Sequence, residues 1–234
     1  VKLLKKGMQN GLRGKKVDEL AKRINPLEIH KENGIENILQ LYNSNEFDRV
    51  LSLGEKTLHT DPGNGILLNI LGAACQQKGL VDKAVGYYKR ALKIDPLNND
   101  IKNNLGLALK NQGKIEEAVV CFDEVLTNNS EYVDAYTNLA LLYVERGKFE
   151  RAVPLYEKYL QMMPEAYGVR ANLGLCLHET GNTEAALEQF DRVIKKAPFF
   201  HETYYNKGCT LLKRNESELA EQTLKCAILL VPDF

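Results

Sequence analysis

The sequence predicts an all-α solenoid, a stack of helix pairs, on three observations. Proline recurs every 34 residues, at Pro62, Pro96, Pro164, Pro198 and Pro232, with Ser130 in the one gap. A fixed period of that length means stacked copies of one supersecondary unit rather than a single globular core. With each proline set at unit position 32, six units follow: 31–64, 65–98, 99–132, 133–166, 167–200 and 201–234. Column 15 of this frame reads Asn45, Gly79, Gly113, Gly147, Gly181 and Asn215. Gly and Asn tolerate a left-handed backbone, so the column marks the end of one helix and the turn into the next. Column 8 reads Ile38, Gly72, Gly106, Ala140, Gly174 and Gly208, and column 20 reads Val50, Ala84, Ala118, Ala152, Ala186 and Ala220. Small residues in both columns let two helices approach closely. Larger ones fill the space between: Leu71, Leu105, Leu139 and Leu173 in column 7, and Tyr88, Phe122, Tyr156 and Phe190 in column 24.

The elements follow in order. Residues 1–30 form a basic leader, with eight Lys/Arg against Asp18, Glu19 and Glu28, a net +5 that leaves −5 for the rest. Within it Lys16–Ile24 carries Val17, Leu20, Ala21 and Ile24 at helical spacing, and Asn25-Pro26 ends that short helix. Each unit is then two helices of about 12–14 residues joined by a tight turn, in the second unit roughly 66–78 and 82–94. The spacing of Leu68, Leu71 and Cys75 is helical. The column-32 proline terminates the second helix. Pro154 falls inside a predicted helix and is expected to kink it or shift its start. The end units depart from the frame. The first has Asn37, Gly54 and Thr57 where the others carry core residues, and the last has Lys207 in column 7.

Composition narrows the function class. The chain has 234 residues, no net charge and 44% apolar content, enough for a substantial core. Five cysteines, an odd number without CxxC spacing, read as free thiols in a reducing, cytoplasmic compartment. No stretch is apolar for the roughly 18 residues a membrane span needs, and no signal peptide is visible. The histidines His30, His59, His178 and His201 lack metal-ligand spacing, and there is no GxGxxG, P-loop or GxSxG motif. His178-Glu179 reads as an exposed turn at a helix end. No cofactor is expected and this segment is read as non-catalytic. Nucleic-acid binding is not expected, because the repeats are net acidic rather than striped with basic and aromatic residues.

Leu-Gly at 7–8, Ala at 20, an aromatic at 24 and Pro at 32 closely resemble the tetratricopeptide repeat family over 31–234. The resemblance implies a right-handed superhelix whose first helices line a concave face with columns 2, 5, 6, 9, 12 and 13. Column 6 reads Glu36, Ile70, Asn104, Asn138, Asn172 and Asn206. A row of asparagines offers donors and acceptors that can hold an extended peptide by its backbone. The column is similar to the asparagine ladder in the repeat arm of O-linked N-acetylglucosamine transferases. Asn103 lies beside it. Asp100, Asp134 and Glu202 in column 2, with Glu145 and Glu179 near helix C-termini, make the expected groove negative and suited to a neutral or basic segment. Column-2 acids also complement a helix N-terminus, which explains Asp100 and Asp134 equally well. A clamp for a C-terminal carboxylate, which in this family uses Lys and Arg, is not expected where Asp100, Asn104, Asp134 and Asn138 stand.

Three functions remain open at this point. The first is a scaffold that binds a peptide or partner protein. The second is the substrate-recognition arm of a larger glycosyltransferase or sulfotransferase. The third is a self-assembling scaffold, a homo-oligomer formed through an uncapped last repeat where Leu224, Ala227, Ile228 and Leu230 are expected to lack cover.

Overall fold

The computed structural model describes residues 26–230, with side chains from 34 onward; the Lys16–Ile24 helix lies outside the described residues. All elements among them are α-helices. The helices are α1 (Pro26–Asn43), α2 (Phe47–Thr60), α3 (Gly65–Gln77), α4 (Val81–Ile94), α5 (Asn99–Asn111) and α6 (Ile115–Asn128). They continue as α7 (Val133–Glu145), α8 (Phe149–Met162), α9 (Tyr167–Glu179), α10 (Thr183–Lys196), α11 (His201–Lys213) and α12 (Ser217–Leu230). The chain divides into two compact units, Val1–Pro96 and Leu97–Phe234. In each, sequential helices pack as neighbours, and first helices also touch the next first helix: α1 with α3, α5 with α7, and α9 with α11.

The repetition is in register to the residue. Every second helix starts in column 17 and ends in column 30. Its start is set by the turn before it. All six column-15 residues have positive φ, from 59° at Asn45 to 83° at Gly181. The next N–H then closes back on column 11, as in Leu80 N to Cys75 O at 2.8 Å and Asn182 N to Leu177 O at 2.8 Å. This is the bond that satisfies an orphan carbonyl at a helix C-terminus. Two first helices are also capped at their N-termini, where Asn64 Oδ1 accepts from Leu67 N (2.9 Å) and Asn98 Oδ1 from Ile101 N (3.1 Å).

Column 8 shows why glycine is needed. A Cβ built on Gly72 would lie 2.5 Å from the Tyr88 ring, on Gly106 2.7 Å from Phe122, and on Gly174 2.5 Å from Phe190. The column-24 ring therefore rests on the backbone of its own repeat's first helix. The six column-20 residues are fully buried. In the first repeat Ile38 is fully buried in column 8, and Gly54 stands in column 24, where Leu71 of the next repeat occupies the space of a side chain. Gly54 is itself buried.

Of the two effects expected of Pro154, a shifted start does not occur, since α8 starts at Phe149 in the same column as its equivalents. The proline sits on the exposed side. The first helix of the first repeat begins at Pro26, ahead of residue 31 of the frame. A proline there suits the first turn of a helix, where its missing N–H would have had no partner.

Candidate functional site

The candidate face is built by the first helices of residues 97–234, namely α5, α7, α9 and α11. Their column-6 asparagines Asn104, Asn138, Asn172 and Asn206 are all half-buried. Each lies next to a column-7 residue that points into the core or, at Lys207, bonds to Asp191 Oδ1 at 2.6 Å. This fixes the column at the edge of the core. Asn138 Nδ2 donates to Asn103 Oδ1 at 2.9 Å. Asn103 is only 6% exposed. It therefore sits beneath the face and holds Asn138 from below. Asn172 lies beside the buried Tyr156 hydroxyl, whose pKa is pushed up by burial. The two make no hydrogen bond of good geometry, and that hydroxyl has no other partner among the described residues.

The acidic residues divide by partner. Asp100 accepts from the Tyr132 hydroxyl at 2.8 Å. Glu145 accepts from Lys110 Nζ at 2.5 Å, so its charge is matched across the α5–α7 junction. Glu202 lies 3.3 Å from His201 Nδ1. Asp134 and Glu179 are exposed. With Lys110 spent on Glu145, and Lys213 Nζ donating to the His178 carbonyl at 3.1 Å, exposed carboxylates still outnumber ammonium groups.

His178 was expected in an exposed turn, but it is half-buried in the last turn of α9. Its Nδ1 lies 2.9 Å from Thr210 Oγ1, and that hydroxyl donates to the Asn206 carbonyl at 2.7 Å. One hydroxyl proton serves one acceptor, so the ring carries its proton on Nδ1 and donates to Thr210. Burial first, and then the Lys213 ammonium, hold His178 below its ordinary pKa, against the pull of Glu179. The neutral ring is thus favoured in the folded chain. Its contribution is whole above the unfolded value of about 6.5 and is lost as pH falls through the lower native value. Urea midpoints measured downward from neutral pH should fall, and should fall less for His178→Gln. Equal slopes for both proteins would remove His178 from the account.

The sequence reading missed ion pairs that recur within each unit beside the turns. Lys78 pairs with Asp48, Arg146 with Glu116 (2.9 Å) and Arg214 with Glu184 (3.5 Å). In the frame this is column 14 bonded to column 18 of the preceding repeat. A signal was present: column 18 is acidic in every repeat, at Asp48, Asp82, Glu116, Glu150, Glu184 and Glu218. The same residues lie in the first turn of each second helix and complement its dipole. The Glu184 carboxyl is held below its ordinary pKa by its own backbone N–H, then by Thr183 and Arg214.

Among the described residues no group of His, Cys, Asp or Glu is placed to hold a metal ion. No helix among them is long and apolar enough to cross a membrane. Helix pairs in exact register, joined by polar rungs across a shared face, define the class of helical-repeat proteins. Family models for the tetratricopeptide repeat match residues 67–100, 98–165 and 137–200. Together these matches span more than half of the chain, and the chain belongs to the tetratricopeptide repeat family. Among solved structures it is similar to YrrB, a TPR protein with an unusual peptide-binding site, with TM-score 0.69 and 22% identity over 77% of this chain and 93% of that one. It is also similar to MamA, with TM-score 0.65 and 23% identity over 71% of this chain and 91% of that one. MamA 41-end from Desulfovibrio magneticus RS-1 gives TM-score 0.68 and 19% identity over 71% and 94%. At these identities the likeness shows the fold. No curated protein gives a significant match in sequence.

Proposed function

We propose that the chain is a non-catalytic binding scaffold that holds an extended, neutral or basic peptide segment along the first-helix face of α5, α7, α9 and α11. One observation carries this reading. The four column-6 asparagines are half-buried, one per first helix, so each is positioned by the core yet reaches the surface. Spaced one repeat apart, they can alternate donor and acceptor contacts with a peptide backbone whatever its side chains. Asp134, Glu179 and Glu202, all exposed, supply the charge preference. Asn103 acts indirectly, by fixing the rotamer of Asn138. The free cysteines Cys75, Cys121, Cys176, Cys209 and Cys226 fit a reducing compartment such as the cytoplasm.

The test is a fluorescence-anisotropy titration with a Lys-rich peptide and its Glu-rich counterpart of equal length. The Lys-rich peptide should bind more tightly, and the preference should shrink with added salt. Replacing Asn104, Asn138, Asn172 and Asn206 together by Ala should weaken binding about tenfold or more while leaving far-UV circular dichroism unchanged. Unchanged affinity in the fourfold variant would refute the ladder.

A further inference from the structure

A cleft of about 180 Å³ lies between the third and fourth of the six repeats, with the fifth and sixth in place beyond it. It forms where the start of α6 meets the end of α7 and the first turn of α8. Its half-buried lining is apolar: Ile115 and Val119 of α6 and the Tyr143 ring of α7. Its exposed lining is charged, with Arg146, Lys148 and Arg151 against one carboxylate, Glu116.

The three cations stand in columns 14, 16 and 19. The same columns read Lys78, Leu80 and Lys83 in the second repeat, and Gln112, Lys114 and Glu117 in the third. They read Thr180, Asn182 and Ala185 in the fifth, and Arg214, Glu216 and Leu219 in the sixth. Of the repeats that follow another, the fourth alone bears a cation in all three. Two of the cations keep their charge unmatched. Arg151 lies over the Tyr143 ring, 5.6 Å from its centre, and neither it nor Lys148 makes an ion pair among the described residues. Arg146 pairs with Glu116 at 2.9 Å, but that carboxylate is 80% exposed, and a surface pair of this kind exchanges at little cost. Asp123, one turn along α6 from Val119, has its carboxyl pushed up by burial, which the Arg151 charge only partly offsets. Glu150 stands in column 18, the column that faces the following repeat.

The volume falls below the roughly 300–1,000 Å³ of sites that enclose a small molecule, so the cleft suits one side chain of a longer ligand. Apolar lining with cations beside it fits an apolar residue flanked by acids. A nucleic-acid backbone asks for a track of cations, and the neighbouring junctions do not continue this one. We infer that the cleft binds an acidic segment of a partner protein. One apolar side chain of that segment rests on Ile115, Val119 and Tyr143. The carboxylates on either side of it meet Lys148 and Arg151, and Arg146 exchanges Glu116 for one of them. None of these residues belongs to the asparagine column and the charge preference is opposite, so this site stands or falls apart from the proposed groove.

The probe is the fluorescent peptide Gly-Asp-Glu-Leu-Glu-Asp-Gly, titrated with the intact chain. Saturable binding is expected, weakening with added salt. Replacing its Leu by Ser should weaken binding about threefold or more, and Lys148→Glu together with Arg151→Glu about tenfold or more. Neither change endangers the fold. Lys148 makes no side-chain cap bond at the start of α8, and an acid in that first turn complements the helix dipole. Circular dichroism checks this. The chain with all four column-6 asparagines replaced should bind the peptide as the natural chain does. Absence of saturable binding overturns the inference, as does binding that the double substitution leaves unchanged or that the Ser peptide equals. So does loss of binding in the asparagine variant, since that moves the peptide to the groove. Tighter binding of a single-stranded oligonucleotide that competes with the peptide also overturns it, since that gives the cations to a phosphate backbone.

Discussion

Phe190→Ala is expected to destabilise the chain by about 3–5 kcal/mol, the range for removing a fully buried aromatic ring. Phe190 is 0% exposed and belongs to the cluster that joins α7 through α10. The cavity cannot be refilled from the opposite side, because the ring lies on Gly174, which has no side chain to extend into it. In a repeat array the loss is local to a repeat and its two junctions. Urea unfolding followed by circular dichroism should therefore show a lower midpoint and a broader transition, as the helix pairs around Phe190 separate from the rest. A midpoint within error of the natural chain would show that the ring contributes little.

Gly174→Val tests the same contact from the other helix. A Cβ at Gly174 would lie 2.5 Å from Phe190 Cε1, and a β-branched side chain cannot turn away from the ring. Overpacking of this kind costs about 1–3 kcal/mol, and the gain in helix propensity over glycine returns only a few tenths of that. Gly174→Ala should be milder, since the fourth repeat already places Ala140 in this column with Tyr156 in column 24, both buried. The decisive measurement is the double variant Gly174→Val with Phe190→Ala. The first repeat already combines a large residue in column 8, Ile38, with glycine in column 24, Gly54, the space beside Gly54 being filled by Leu71. The double variant should therefore be more stable than the sum of the single losses by about 1 kcal/mol or more. Strict additivity would mean that the two columns do not share one space.

The core columns were legible in the sequence because each asks for one residue type for one steric reason. Glycine in column 15 answers a positive φ, and glycine in column 8 answers a ring lying on the backbone. Both requirements are local, and each repeats often enough to be seen without an alignment. What fills the space beside Gly54 was not legible, because Leu71 comes from the following repeat. The polar surface was less legible. Arg146 and Glu116 are thirty residues apart and meet only because two repeats stack. Neither residue type by itself distinguishes an ion pair from a helix-dipole partner. His178 was misplaced for a similar reason: its partners, Thr210 and Lys213, come from the following repeat. The asparagine column was visible at once, but its support by the buried Asn103 needed the packing of α5 against α7.

The exact register of the helix pairs also bears on how the chain reaches its fold. The packing, hydrogen bonds and ion pairs described within each unit join a helix to its sequence neighbour or to the equivalent helix one repeat away. A nascent pair therefore needs only the pair before it, and the short loops between them cost little entropy to close. The chain should assemble quickly and progressively, and a segment emerging during synthesis can dock before the following repeat has been made.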